Sequence, residues 1–119
     1  MKIACLTLVA VITLAGSARA DDPVIVDVAM EHAGNMWTID VTLAHPDSGW
    51  DHYADGWEVL DAAGNRLGYR KLMHPHVAEQ PFTRSLRVAI SDETRAIFIR
   101  PHCSRDGWAG KAVRVEMPR

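Results

Sequence analysis

Apolar residues in this chain recur with a period of two, and that period admits strands and little else. Val24, Val26, Val28 and Met30 alternate with Ile25, Asp27 and Ala29. Trp37, Ile39, Val41 and Leu43 alternate with Thr38, Asp40 and Thr42 after the Ala33-Gly34-Asn35 turn. Alternate side chains of an extended backbone fall on opposite faces, so each run predicts a strand with one buried face. A third strand is predicted over Trp57 to Asp61, then a hairpin turn at Ala62-Ala63-Gly64-Asn65 and a fourth strand from Arg66 to Met73. Phe82, Leu86, Val88 and Ile90 mark a fifth, Ala96 to Arg100 a sixth, and Val113, Val115 and Met117 a seventh. No segment sustains a helical period, and there is no repeat or low-complexity stretch.

Seven short strands at roughly ten-residue spacing predict an all-β protein, a seven-stranded immunoglobulin-like (fibronectin III-like) β-sandwich. Trp37 and Trp57 lie on inward faces and are the expected core anchors. The strands begin only after residue 20. Met1-Lys2 is a basic start, Ile3 to Ala15 is an apolar run too short to span a bilayer, and Ala18-Arg19-Ala20 is a small-residue cleavage pattern. Residues 1–20 are therefore expected to be a cleaved signal peptide, with 21–119 one sandwich domain in the periplasm or secreted. Without Lys2 and Arg19 the basic count falls from 13 to 11 against 15 acidic residues, a net charge of −4 with His neutral. That balance excludes a basic nucleic-acid binder, and no membrane span is expected. Cys5 leaves with the leader, so Cys103 has no partner for an intramolecular disulfide. Acidic residues fill 21–65, where Lys and Arg are absent, and basic ones dominate from Arg66 onward, so the two halves are expected to pair and partly neutralise each other.

Chemistry concentrates in the connections. If successive connections alternate between the ends of the sandwich, the short turns at Ala33-Gly34, Gly64-Asn65 and Ser91 to Thr94 share one end. The irregular loops His45 to Gly56, His74 to Gln80 and Pro101 to Gly110 then share the other, as binding loops do. Those loops hold five of the six histidines (His45, His52, His74, His76 and His102) together with Cys103. Only His32 falls at the opposite end.

His74-Pro75-His76 is the sharpest local motif. In extended backbone both imidazoles face one side, and the proline stiffens that geometry. A third ligand is expected from His52, His45 or the His102-Cys103 pair, and imidazole with thiolate suits Zn or Cu. Cys103 has a plainer reading as a small buried residue at the end of the sixth strand. A blue-copper pattern is excluded, since no Met follows Cys103 at short range before Met117. Trp50, Tyr53 and Trp108, flanked by Asp51 and Glu79, suit an aromatic platform for a protein or glycan, or equally a cover over the open end of the core. Asp47, Asp51 and Asp55 match no standard Ca²⁺ loop. Met30 and Met36 flank the turn near His32, where a Met/His copper(I) site is conceivable and a core role for Met30 is the simpler reading.

The stretch Gly49-Trp50-Asp51-His52-Tyr53-Ala54-Asp55-Gly56-Trp57, followed by His74-Pro75-His76 and Glu79-Gln80-Pro81-Phe82, resembles an uncharacterised family of small secreted bacterial proteins. The resemblance implies no activity. The residues themselves point to a small periplasmic binding protein with a His-rich loop site, its partner a metal ion (Cu or Zn) or a periplasmic protein. The alternative is a non-metal interaction module built on the Trp/Tyr-rich loops. No nucleophile elbow, phosphate loop or metal-hydrolase motif marks an enzyme.

Overall fold

The computed structural model describes residues 22–118, and within them the chain is a sandwich of two antiparallel sheets with no helix. The expected leader lies outside the described residues. One sheet has the order β1-β2-β5, from Val24–Ala33, Met36–Ala44 and Phe82–Ala89. The other has the order β4-β3-β6, from Arg66–Lys71, Ala54–Leu60 and Ala96–Cys103. The far edge of β6 is shared by two short strands. β7 (Gly107–Trp108) pairs with His102 and Cys103, and β8 (Val113–Glu116) pairs with Ala96 to Ile99. The described residues thus carry eight strands where the pattern predicts seven. The extra one arises because β6 runs on to Cys103 and turns straight back through Ser104 to Asp106. Pro101 looks like a breaker, but its missing N–H costs only one ladder bond.

The core fills the gap between the sheets. Ile39, Val41 and Leu43 of β2 meet Trp57 and Val59 of β3 and Ile97 and Ile99 of β6, all fully buried. Trp57 is the central anchor as expected; Trp37 is only partly buried, packing on the core's margin with His32 stacked on its ring at 4.4 Å. The sheets approach closely at Gly68, where an added Cβ would sit 2.9 Å from Leu86 Cδ2. Any side chain larger than hydrogen there obliges Leu86, and to a lesser degree Val88, to shift.

β1 departs from its alternation. Val24 and Val26 are exposed at 59% and 53%, while Ile25, Val28 and Met30 face the core. The register against β2 shifts between Ile25 and Asp27. A bulged residue there adds one position and swaps the faces on its two sides, as a period of two requires. β1 is an edge strand, where bulges are best tolerated.

The turns follow local chemistry. Gly34 opens the β1–β2 hairpin at φ 65°, a conformation that side chains with a Cβ disfavour. Asp61 accepts the backbone N–H groups of Ala63 and Asn65 at 2.9 and 2.8 Å, and the Asn65 bond holds its carboxyl below the usual range. The acidic and basic halves of the chain do meet. Buried Glu58 on β3 accepts from Arg66 at 2.9 Å and Arg100 at 2.8 Å on the outer face of the second sheet.

Candidate metal centre

Three connections converge at the end of the sandwich opposite the Gly34 turn, and they are stitched together by hydrogen bonds. Ser104 N–H donates to Tyr53 O at 2.8 Å, and Leu72 N–H to Asp55 O at 3.0 Å. Gln80 accepts from the His45 N–H at 2.9 Å and donates to His76 O at 2.8 Å. The convergence expected from loop order is therefore present, with two of the loops shorter than the pattern suggests because β3 starts at Ala54 and β6 ends at Cys103, and the third longer because β4 ends at Lys71.

Asp47 is the hub. It is buried, and its Oδ1 accepts from Ala54 N–H at 2.9 Å while Oδ2 accepts from His76 N–H at 2.7 Å. Its third partner is His45 Nδ1, 2.5 Å from Oδ1, with both side chains fully enclosed. An ionised carboxylate only accepts, so His45 Nδ1 is the donor, and in the neutral imidazole the lone pair is then on Nε2. That Nε2 is buried and meets no hydrogen-bond donor or acceptor.

Two further candidate ligands lie close to His45. His45, His52 and Cys103, all buried, each offer one ligand atom, and those atoms lie within 4.8 Å of one another. The His45 and His52 rings meet edge to face at 4.9 Å. Bond lengths of about 2.0–2.3 Å to one ion place such atoms roughly 3.5 Å apart, so a contraction of about an ångström brings all three onto it. Cys103 is a free cysteine whose Sγ donates to Asp106 Oδ2 at 4.0 Å. Among the described residues, this is the group of His, Cys, Asp and Glu side chains whose geometry can hold a metal ion.

Its members share a parity. His45 and Asp47 continue the inward set Val41, Leu43 of β2; His52 precedes inward Ala54 by two; Cys103 follows inward Ile99 by four. Treating these positions as loop, with no assigned face, is what left His45 and His52 behind His74 and His76 in the expected ligand order.

Of the expected ligands, His74, His76 and His102 lie outside this group. The His74 and His76 rings lie side by side, 4.6 Å apart, as the His-Pro-His spacing suggests. One nitrogen of each is engaged elsewhere, while His76 Nδ1 is buried without a hydrogen-bond partner. His74 is exposed, with Nδ1 near Pro75 O at 3.1 Å. His76 is buried, stacked on Phe82 at 3.8 Å, and Nε2 accepts from Arg84 at 2.8 Å. Burial, then the Arg84 charge, hold His76 below the usual histidine range. His102 has the opposite parity to Cys103. It points to the outer sheet face, bonded to Asp55 with its ring against Trp108.

The expected aromatic platform is divided for the same reason. Trp50 is 69% exposed at a loop tip beside Asp51, with Tyr53 edge-on at 5.7 Å. Trp108 lies on the outer sheet face, half-buried beneath Arg100 at 4.8 Å and beside Tyr69 at 6.3 Å. Glu79 is exposed and 3.8 Å from Arg84.

No family model matches the chain. The chain is 41% identical over 93 residues to a protein of Halomicrobium mukohataei described as "Putative lipoprotein", an alignment covering 77% of this chain. It spans 46% of that relative's length, so the relative carries as much again beyond the matched part. Among solved structures, the hypothetical protein PH1083 from Pyrococcus horikoshii OT3 shares the fold, with a TM-score of 0.56 at 14% identity over 85% of this chain and 96% of that one. A looser overlay is with the superoxide reductase (1Fe-SOR) of Giardia intestinalis, TM-score 0.46 at 14% identity, over 76% and 95% of the two chains.

Proposed function

We propose that this chain is an extracytoplasmic metal-binding protein in which His45, His52 and Cys103 take Cu or Zn. One observation carries the reading: a fully enclosed imidazole, held on Nδ1 by a carboxylate and with no hydrogen-bond partner on Nε2, offers a ligand atom within 4.8 Å of those of a buried cysteine and a second buried imidazole. A carboxylate on the far nitrogen is the arrangement that fixes a ligand histidine's tautomer and raises its basicity. Two imidazoles and a thiolate are a soft, borderline set that suits Cu or Zn over Mg or Ca. Bound there, the metal would ligate the thiolate and release the thiol proton. The three donors leave room for a further ligand. Placement outside the cytoplasm rests on the expected leader at 1–20 and fits the description of the Halomicrobium relative. The strand order, β1-β2-β5 against β4-β3-β6, supports the immunoglobulin-like type, where strands one, two and five share one sheet and three and six the other. We read the role as binding rather than catalysis.

The test is a titration of the full chain, with Cys5→Ser, using Zn(II), Cu(I) and Co(II). One equivalent should bind, with a thiolate-to-Co(II) charge-transfer band. Cys103→Ser should abolish the band and weaken binding at least tenfold, while His74→Ala should leave both unchanged. Equal affinity in the parent and Cys103→Ser would remove the proposal.

A second reading has one observation in its favour, the projecting Trp50–Tyr53 pair. It suits a protein or glycan partner at the loop tip. A partner lost on Trp50→Ala with metal affinity intact would assign that role to the tip.

A further inference from the structure

The opposite end of the sandwich carries a different set of soft donors. Met30 and His32 are two apart on β1 beyond its bulge, so they share one face, Met30 partly buried and His32 exposed at the end of the strand. Trp37 pairs with His32 across the β1–β2 hairpin, their rings stacked at 4.4 Å and 12°. From the other sheet comes Met117, just past β8 and held by its N–H bond to Arg95 O at 2.9 Å. Met30 and Met117 both pack on the rim of the core, and with His32 and Trp37 they line one cavity of about 380 Å³ at the mouth of the interlayer gap. Asp92 is the charged carboxylate lining that cavity.

A core rim needs apolar bulk, and Leu or Val would supply it. Here the rim has two thioethers, an imidazole and an indole face, with an acid beside them. Thioethers ligate Cu(I) and neglect harder divalent ions, whatever the geometry. Unbranched Met side chains have the torsional freedom to close from both sheets onto one ion. An indole face attracts a cation, and Asp92 supplies compensating charge. We infer that Met30, Met117 and His32, floored by Trp37, form a second site for a soft monovalent cation, Cu(I), with Ag(I) as its redox-inert probe. The site is separate from the His45–His52–Cys103 cluster. Eight β2-type steps from Trp37 to His45, at about 3.4 Å each, put it roughly 27 Å away.

The experiment uses the full chain with Cys5→Ser and Cys103→Ser, so that the first site's thiolate plays no part. Ag(I) is titrated while the methyl resonances of the methionines and the Trp37 emission are followed, with Trp37→Phe assigning the emission change. The expected result is one saturable equivalent that shifts the Met30 and Met117 methyls and survives an excess of Zn(II). Met30→Leu/Met117→Leu should abolish it, and Met36→Leu/Met73→Leu should leave it. His32→Phe should weaken it at least tenfold. Unshifted Met30 and Met117 methyls, displacement by Zn(II), or equal loss in the Met36/Met73 control would each overturn the inference. These outcomes are independent of Cys103, so either metal site can fail without the other.

Discussion

Replacing Asp47 by Asn tests the idea that one buried carboxylate both closes this end of the fold and arms His45. Three donors converge on it: His45 Nδ1 at 2.5 Å, Ala54 N–H at 2.9 Å and His76 N–H at 2.7 Å. An amide has one oxygen and one NH₂. With its oxygen at the Oδ1 position it keeps His45 and Ala54 and turns a donor toward His76 N–H. Flipped, it keeps His76 and opposes the other two. The first arrangement wins because it loses one bond rather than two. The expected cost is the desolvation of one buried N–H plus the weaker charge assistance to His45, about 2–4 kcal/mol. For a domain this size each kcal/mol lowers Tm by roughly 4–8 °C. Metal affinity should fall about 10–100-fold, since the His45 tautomer survives but loses its carboxylate. Urea unfolding followed by circular dichroism gives the first number and competitive Zn(II) titration the second. A variant within about 0.5 kcal/mol of the parent, with unchanged affinity, would refute the hub argument. Asp47→Ala is the harsher control, orphaning all three donors at about 1–3 kcal/mol each, enough to consume much of a small domain's stability.

Three further outcomes are expected. Trp57→Ala empties the centre of the core and should cost about 3–5 kcal/mol in urea unfolding, and a loss below 1 kcal/mol would show that the sheets close over the gap. Gly68→Ala drives a Cβ to within 2.9 Å of Leu86 and should cost about 1–3 kcal/mol, with the added Leu86→Ala returning part of it only if the clash is the cause. His76 sets a pH dependence whose sign is fixed by its lowered pKa. Below the ordinary value of 6.5 the unfolded chain takes up a proton that the folded chain refuses, so stability falls as the pH drops through about 6.5 and stops falling below the folded pKa. His76→Gln keeps an acceptor for Arg84 and should flatten this part of the slope; parallel slopes for the two proteins between pH 7.5 and 5 would contradict it.

Much of the architecture is written in local pattern because a period of two is a strong, short-range signal. The inward sets of β2, β3 and β6 and the three-loop end can all be read from it. What escaped the pattern were single-residue insertions. Nothing in Val24-Ile25-Val26-Asp27 marks a bulge, yet one extra residue at an edge reverses which valines are buried. β6 looked finished at Arg100 because Pro101 breaks most strands, whereas here it only ends one ladder bond and lets the strand carry Cys103 inward.

By itself the sequence determined an all-β chain, its inner faces, and a histidine-rich end. The tertiary structure alone decided which imidazoles share a point, and the reason is parity and partnership. His45, His52 and Cys103 continue inward sets from three different strands, so only the stacking of the two sheets brings them within 4.8 Å. His74 and His76 are neighbours in sequence and in space, but Arg84, Phe82 and the Asp47 hub had already committed His76. Adjacency in the chain carries information about direction; convergence from separate strands, and the hydrogen bonds that occupy or free a nitrogen, exist only once the sheets have packed.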